Sequence, residues 1–372
     1  MGRVVIFEFM KKILLVYHAL SSGEFSYAGM EKMLVWLGNS LADYDYDVTF
    51  CTLFDKERCS RYTNKAKSIE LGLEYHNSFI RRNLITFVIG SSKLNSVLKN
   101  KYDVVVNFGD TVFFLALMFK PIYHYKLITS ERGDPNNNAD FLEKLRRKLI
   151  KFSDRVVFQT VGACHFFPDT VRSKSSIIAN PIVIPQEFWC QNNAKKRIAF
   201  IGRIDFWQKR LDVLLDAFCI VHRKYPDYML DVCGSGEGFE RLKALVCKLN
   251  LVDSVVLHGA VQNVKQIMMQ DEIFVLTSDF EGIPNALLEA MAIGMPVVST
   301  DCSPGGAALL IENGINGILV PCADICGIAD GICQIIENRE FAKKIGAYAR
   351  ESMSRFTPEK IIGEWQCVIN EL

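Results

Sequence analysis

The chain has 372 residues, 49% of them hydrophobic and 23% charged, which is too long for one ordinary core and enough for two α/β domains. Its twelve cysteines are scattered without a CxxC pair, and Cys322 and Cys326 are too isolated for a zinc site, so they read as reduced thiols in a cytosolic protein. The net charge of +1 hides an asymmetry: residues 1–180 hold 25 Lys and Arg against 18 Asp and Glu, and the remainder holds 18 against 24. A basic first half suits an anionic membrane surface or a phosphate-bearing partner. No block of basic residues is interleaved with aromatics, so nucleic acid is not an expected partner.

The opening MGRVVIFEFMKKILLVYHAL is interrupted by Glu8 and two lysines, and its apolar run is too short for a signal peptide. Met10 is the expected natural start, which makes KKILLVY the first strand. The longest apolar run, 112–119, falls far short of a membrane span. A strand at 13–17, the loop HALSSGEFSYAG, a helix over about 30–41 and a strand at 48–53 form a βαβ opening. Gly29, at the end of that loop, allows the backbone to approach a ligand closely. Asp43, Asp45 and Asp47 alternate in DYDYD like a DxD metal motif. They lie between a helix and a strand, at the wrong end of that strand to face a site, so no essential metal is expected.

Residues 77–100 set Arg81, Arg82, Lys93 and Lys99 around apolar groups, a pattern shared by an interfacial helix and by an ordinary helix packed on a sheet. YDVVVNF, 102–108, is a buried strand, and KLITSERGDPNNN is a strand followed by a polar loop over 130–138. FLEKLRRKLIKF, 141–152, is a strongly basic helix. Arg146, Arg147, Lys148 and Lys151 are its candidates for lipid headgroups or a lipid pyrophosphate. The segment ANPIVIPQEFWCQNN, rich in Pro and polar residues, reads as an interdomain linker bounded at 181–193.

The second half opens with the strand RIAFIG. Gly202 and Arg203 start the loop that follows, and Lys209 lies six residues on, before a helix from about 211. YMLDVCG runs into GSGEG, where Gly234 and Gly236 fit either a phosphate turn between strand and helix or a plain tight turn. The apolar run 273–276 is a buried parallel strand, and SDFEGIPNALLEAMAIGMPVVS carries the chain from its carboxyl end into a helix. In an open α/β sheet ligands bind at that end, and the free N–H groups of a helix N-terminus suit a phosphate. Glu281 in the loop and Glu289 one turn into the helix are placed to face one pocket and to accept hydrogen bonds from hydroxyls on either side of a phosphate.

EGIPNALLEAMAIGMPVV resembles the C-terminal signature of the family 4 glycosyltransferases, retaining enzymes of the GT-B fold, in which two Rossmann-like domains face each other across a cleft. The resemblance runs from about residue 11 to the end and is strongest over 197–320. It implies an acceptor-binding domain over 1–180, a nucleotide-sugar domain over 194–355, and a last helix, 356–372, that crosses back to the first domain. By resemblance Glu281 contacts the transferred sugar and Glu289 the ribose. Arg203 and Lys209 hold the diphosphate and stabilise the charge that develops as the sugar departs. Lys209 stands one residue further from its Arg than is usual in the family, and Arg210 is the fallback. Further nucleotide-sugar contacts fall on Gly29, Gly202, Gly234, Gly236, Val261, Gly282, Ile283, Pro284 and Asn285, and CSPGGAALL, with Gly305 and Gly306, is similar to a loop near the donor.

The SER-x-DP pattern resembles a branch that builds bacterial capsule, exopolysaccharide and O-antigen units. Where many relatives carry a His facing the reacting sugar, this chain has Ser130, Glu131 and Arg132; Glu131 and Arg132 are the acceptor-side candidates. The implied activity is transfer of a hexose or N-acetylhexosamine from a UDP-sugar to a saccharide acceptor, in particular a lipid-pyrophosphate-linked one. The expected place is the cytoplasm, peripheral on the inner face of the membrane, with no metal cofactor. Two competing readings are a nucleotide-sugar epimerase of the same fold, for which TSERGDP supplies little, and a non-catalytic binding subunit, which the intact Arg203, Lys209, Glu281 and Glu289 argue against.

Overall fold

A computed structural model of the chain describes residues 10–18, 29–54, 65–73, 86–108, 110–136 and 141–372. Runs such as ILLV, VVVNF and IFVL, apolar on both faces, form strands buried from both sides, as a parallel sheet covered by helices requires. The first sheet contains β1 (Lys12–Tyr17), β2 (Asp47–Thr52), β3 (Lys67–Glu70), β4 (Val104–Phe108), β5 (Lys126–Glu131), β6 (Arg155–Phe158) and β7 (Ser175–Ile177), in the order β3-β2-β1-β4-β5-β6-β7. The second contains β8 (Lys195–Ile201), β9 (Met229–Cys233), β10 (Val255–Gly259), β11 (Asp271–Leu276), β12 (Val297–Thr300) and β13 (Ile318–Val320), in the order β10-β9-β8-β11-β12-β13. Every pairing is parallel, and both orders are those of a doubly wound sheet, with switch points between β1 and β4 and between β8 and β11. The expected pair of Rossmann-like units is therefore present.

Among the described residues the first unit carries helices α1 (Gly29–Ala42), α2 (Ser91–Leu98), α3 (Asp110–Tyr123), α4 (Phe141–Leu149), α5 (Val161–His165) and α6 (Asp169–Arg172). The second carries α7 (Leu211–Lys224), α8 (Phe239–Lys248), α9 (Val264–Met268), α10 (Asn285–Ile293), α11 (Gly306–Leu310), α12 (Ile325–Glu337) and α13 (Arg339–Ser352), and α14 (Pro358–Asn370) ends the chain. α14 lies on the first unit: Trp365, wholly buried, stacks on Phe108 with ring centres 6.1 Å apart. Lys11 Nζ donates to the Ile369 carbonyl at 2.9 Å, and Arg155 pairs with Glu371 at 2.6 Å. One apolar cluster runs from Leu15 and Val106 of the first sheet to Phe274 and Met291 of the second, with Trp365 between them.

DYDYD forms the turn before β2, where Asp47 pairs with Lys67 at 2.7 Å and Asp43 with Lys65. Of the segment 77–100, Arg81 and Arg82 fall outside the described residues. Its remainder buries Leu94, Val97 and Leu98, and Lys93 donates to the Leu71 carbonyl at 2.5 Å, so α2 packs on the sheet. The basic helix α4 needs a correction. Arg146 points inward, buried between Glu131 and Glu143, and Arg147 is tied to Glu143 at 2.9 Å, so neither is free for a lipid headgroup. The exposed cations of this stretch are Lys144, Lys148 and Lys151, beside exposed Phe141 and Phe152. No helix of the described residues is long and apolar enough to cross a membrane.

Candidate active site

The switch point of the second sheet brings together the loops that follow β8 and β11. Thr277 Oγ1 donates to the Lys209 carbonyl at 2.8 Å and the Asp279 amide to the Gln208 carbonyl at 2.9 Å, which fastens one loop to the other. On this frame Lys209 Nζ forms an ion pair with Glu281, and both groups are largely withdrawn from solvent. Ser278 Oγ donates to the same carboxylate at 2.8 Å and Gln208 Nε2 at 3.2 Å. Gln208 also accepts a 2.6 Å bond from Arg203, so Arg203, Gln208, Glu281 and Lys209 form one polar chain. The Arg203 side chain is 63% exposed and stands 3.5 Å from Asp205. Gly202 lies under Lys209, where a Cβ would touch the lysine Cε at 3.4 Å.

Gln208 and Ser278 were not singled out from sequence. Their signal was position: each lies within three residues of a candidate, on the loop that carries it. Arg210 is withdrawn as a fallback. It takes the left-handed conformation, φ 50°, at the start of α7 and is bound to Asp279 at 2.8 Å and to Asp212 at 3.2 Å.

Ile283 is buried and Pro284 caps α10 rather than lying inside it. Asn285 opens the helix and accepts from Asn180 Nδ2 at 2.8 Å. One turn on, Glu289 meets Lys32 of α1 at 3.7 Å in a groove of about 150 Å³ that also includes Trp36, Asn180 and Asn285. Burial pushes the Glu289 carboxyl above its ordinary range, against the pull of Lys32. Glu281 is thus held by Lys209 and Glu289 by Lys32. Gly29 begins α1, the loop before it lies outside the described residues, and Val261 packs half-buried against the shared core.

A different reason emerges for the glycines of GSGEG. A Cβ on Gly234 would collide with the Gly202 carbonyl, and one on Gly236 would lie 2.5 Å from that of Ile204. Both residues have positive φ, so close packing against the Arg203 loop accounts for them without a ligand. Gly282 lies between the units, 2.5 Å in the same sense from the Arg132 carbonyl, and a Cβ on Gly306 would collide with the Gly282 carbonyl.

The acceptor-side candidates are built into the fold. Glu131 accepts both terminal nitrogens of Arg146, Nη2 at 2.8 Å, because β5 is an inner strand and its end emerges beneath α4 rather than in solvent. Arg132 lies against the stacked pair Phe108 and Trp365, 5.3 and 5.6 Å from their ring centres, donates to Ser130 at 2.8 Å and Asn180 at 3.1 Å, and has no carboxylate partner among the described residues. Burial pushes its guanidinium down to about 9. Among the described residues no group of acids, histidines and cysteines is placed to hold a metal ion.

Two doubly wound units with a polar site at the second switch point define a two-domain α/β protein of the GT-B kind. Anabaena HepE in complex with UDP and glucose superposes with a TM-score of 0.81 at 18% identity, covering 97% of this chain and 100% of that one, which establishes the fold. Residues 187–352 match the model of the glycosyl transferases group 1 family, and the chain is a glycosyltransferase. An uncharacterized glycosyltransferase of Haemophilus influenzae is 26% identical over 349 residues, 92% of this chain and 97% of that protein. A Campylobacter jejuni α-1,4-N-acetyl-D-galactosaminyltransferase, named for an undecaprenol-diphosphate-linked acceptor, is 24% identical over 370 residues, 98% and 99% of the two chains.

Proposed function

We propose that the protein transfers a hexose or N-acetylhexosamine from a UDP-sugar, with retention of configuration, to a lipid-linked saccharide during assembly of a bacterial surface polysaccharide. The observation that carries the reading is the polar chain Arg203–Gln208–Glu281–Lys209 at the β8/β11 switch point. The diphosphate sits between Arg203 and Lys209, Glu281 accepts from hydroxyls of the transferred sugar, and Glu289 from those of the ribose. The acceptor hydroxyl attacks the anomeric carbon on the face that the phosphate leaves. The bond from that carbon to the phosphate oxygen breaks as the new glycosidic bond forms, and the departing phosphate takes the hydroxyl proton, so no protein base is needed. Two fixed cations stabilise the charge that grows on that phosphate. Contact between the two units excludes water from the donor.

The relatives support this reading by their names, which include a lipopolysaccharide 1,6-galactosyltransferase of Escherichia coli, 34% identical over 165 residues. Peripheral contact with an anionic membrane belongs to the same proposal and now falls to Lys144, Lys148 and Lys151 beside Phe141 and Phe152. The test is UDP release from UDP-Gal, UDP-GalNAc, UDP-Glc and UDP-GlcNAc, in EDTA, with a lipid-pyrophosphate-linked sugar as acceptor. The expected result is turnover with one donor, undiminished by EDTA. Turnover that appears only when a divalent cation is restored would refute the metal-independent mechanism, and tight UDP binding without release from any donor would refute the proposed acceptor.

A further inference from the structure

On the linker side of the second unit, the linker and α13 enclose a groove of about 710 Å³, a volume suited to a small-molecule ligand. Trp189 and Ile293 contribute apolar lining, with Ile184, Phe188 and Ala347. Trp189 is pinned, its amide donating to the Ile293 carbonyl at 2.7 Å and its indole to the Asp271 carbonyl at 2.8 Å. Phe188 is 61% exposed, a large apolar surface left open to water.

The polar groups of the lining are mainly donors. Arg350 is held by two backbone carbonyls, Ala292 at 2.7 Å and Pro185 at 2.6 Å, and no carboxylate neutralises it among the described residues. Lys343 lies seven residues before it on the same face of α13, exposed and without an ion pair among the described residues. Gln191, at the linker end of the lining, has a side-chain Nε2 that is sealed from solvent and without a hydrogen-bond partner. The single acid of the lining is Glu351, exposed at the end of α13. An apolar trough with two uncompensated cations fits a ligand with an apolar tail and an anionic head.

We propose that this groove binds a single-chain amphiphilic anion, its chain against Trp189 and Phe188 and its head on Lys343 and Arg350. The assignment is independent of the donor site. The test is isothermal titration of the full chain with dodecyl phosphate and with dodecanoate below their micellar concentrations, using dodecyl maltoside as the neutral control. Saturable one-to-one binding is expected, tighter for at least one anion than for the control by about tenfold. The two anions distinguish a phosphate from a carboxylate head. Ala347→Trp, which fills the trough, and Lys343→Glu should each weaken binding by about tenfold, and because both positions are exposed the unfolding midpoint should stay within about 2 °C. Equal affinity for the neutral amphiphile, or undiminished binding by Ala347→Trp, overturns the proposal. So does a dimer in sedimentation velocity that Ala347→Trp abolishes, because a second copy would then occupy the groove.

Discussion

Arg203 and Lys209 carry the same charge six residues apart and have opposite surroundings, which sets what each can contribute. Lys209 is already neutralised by Glu281 in a largely dry setting, whereas Arg203 is mostly in water, bonded to Gln208 and 3.5 Å from Asp205. On the proposed reading a diphosphate would meet Arg203 directly and would have to share Lys209 with Glu281. Arg203→Ala, Lys209→Met and Glu281→Ala are each expected to lower transfer by about 10²–10³, the loss typical of removing one group that stabilises developing charge. UDP release measures it, and rates within twofold of wild type would remove that residue from the site. Glu131 gives a contrasting case. Glu131→Gln should cost about 3 kcal/mol in denaturant unfolding, since it leaves Arg146 buried with only Glu143, and should leave the donor KM unchanged. A normal unfolding midpoint with a raised acceptor KM would restore Glu131 to the acceptor side.

At the scale of elements, neighbouring strands of the second sheet trap a set of charges away from the switch point. Arg197 of β8 donates to both oxygens of Asp231 on β9 at 2.8 Å, and His258 of β10 meets Asp231 at 2.9 Å. Asp271, at the start of β11, is pushed up to about 8, first by burial and then by the charge of Asp231, against the pull of Arg197 and Lys195. Between its ordinary value of 3.8 and about 8 the folded chain therefore holds a proton on Asp271 that the unfolded chain has released. The stability from that proton is complete below the lower value and is lost as pH rises through the upper one. Asp271→Asn should flatten this slope, so that the variant gains on the wild type in thermal midpoint as pH goes from 5 to 8. Parallel curves for the two proteins would show that Asp271 does not titrate in this window. The same scale explains GSGEG: its glycines let the β9 loop lie against the β8 loop, which supports Arg203 from beneath.

At the scale of the whole molecule the two units touch through polar side chains and one backbone carbonyl. Thr160 Oγ1 donates to the Pro304 carbonyl at 2.9 Å, Asn136 to Ser303 at 3.2 Å, and Asn180 to Asn285 beside Glu289. Gly162, which opens onto the same Pro304 carbonyl, leaves no room for a side chain. Gly162→Ala should therefore hold the units apart, lowering kcat while the nucleotide affinity of the second unit and the unfolding midpoint remain near wild type. Unchanged kcat would mean that turnover does not use this contact.

The alternation of short apolar runs with helical segments, and the loops entering helices after the strands at 197–202 and 273–276, were legible in the chain because they depend on local periodicity and turn chemistry. From these the sequence alone indicated two α/β units and a site at the carboxyl end of the strand 273–276; the two facing Rossmann-like domains followed from the family resemblance, and the strand order and switch points from the structure. Tertiary structure decided which charged residues remain available. Arg146 and Arg147 read as surface cations from composition, yet α4 turns them onto Glu131 and Glu143. Arg132, expected in a polar loop, is covered by Trp365, more than two hundred residues away in sequence. Charge is a property of a residue, but burial and partnership are set by elements distant in the chain, and no local pattern carries them.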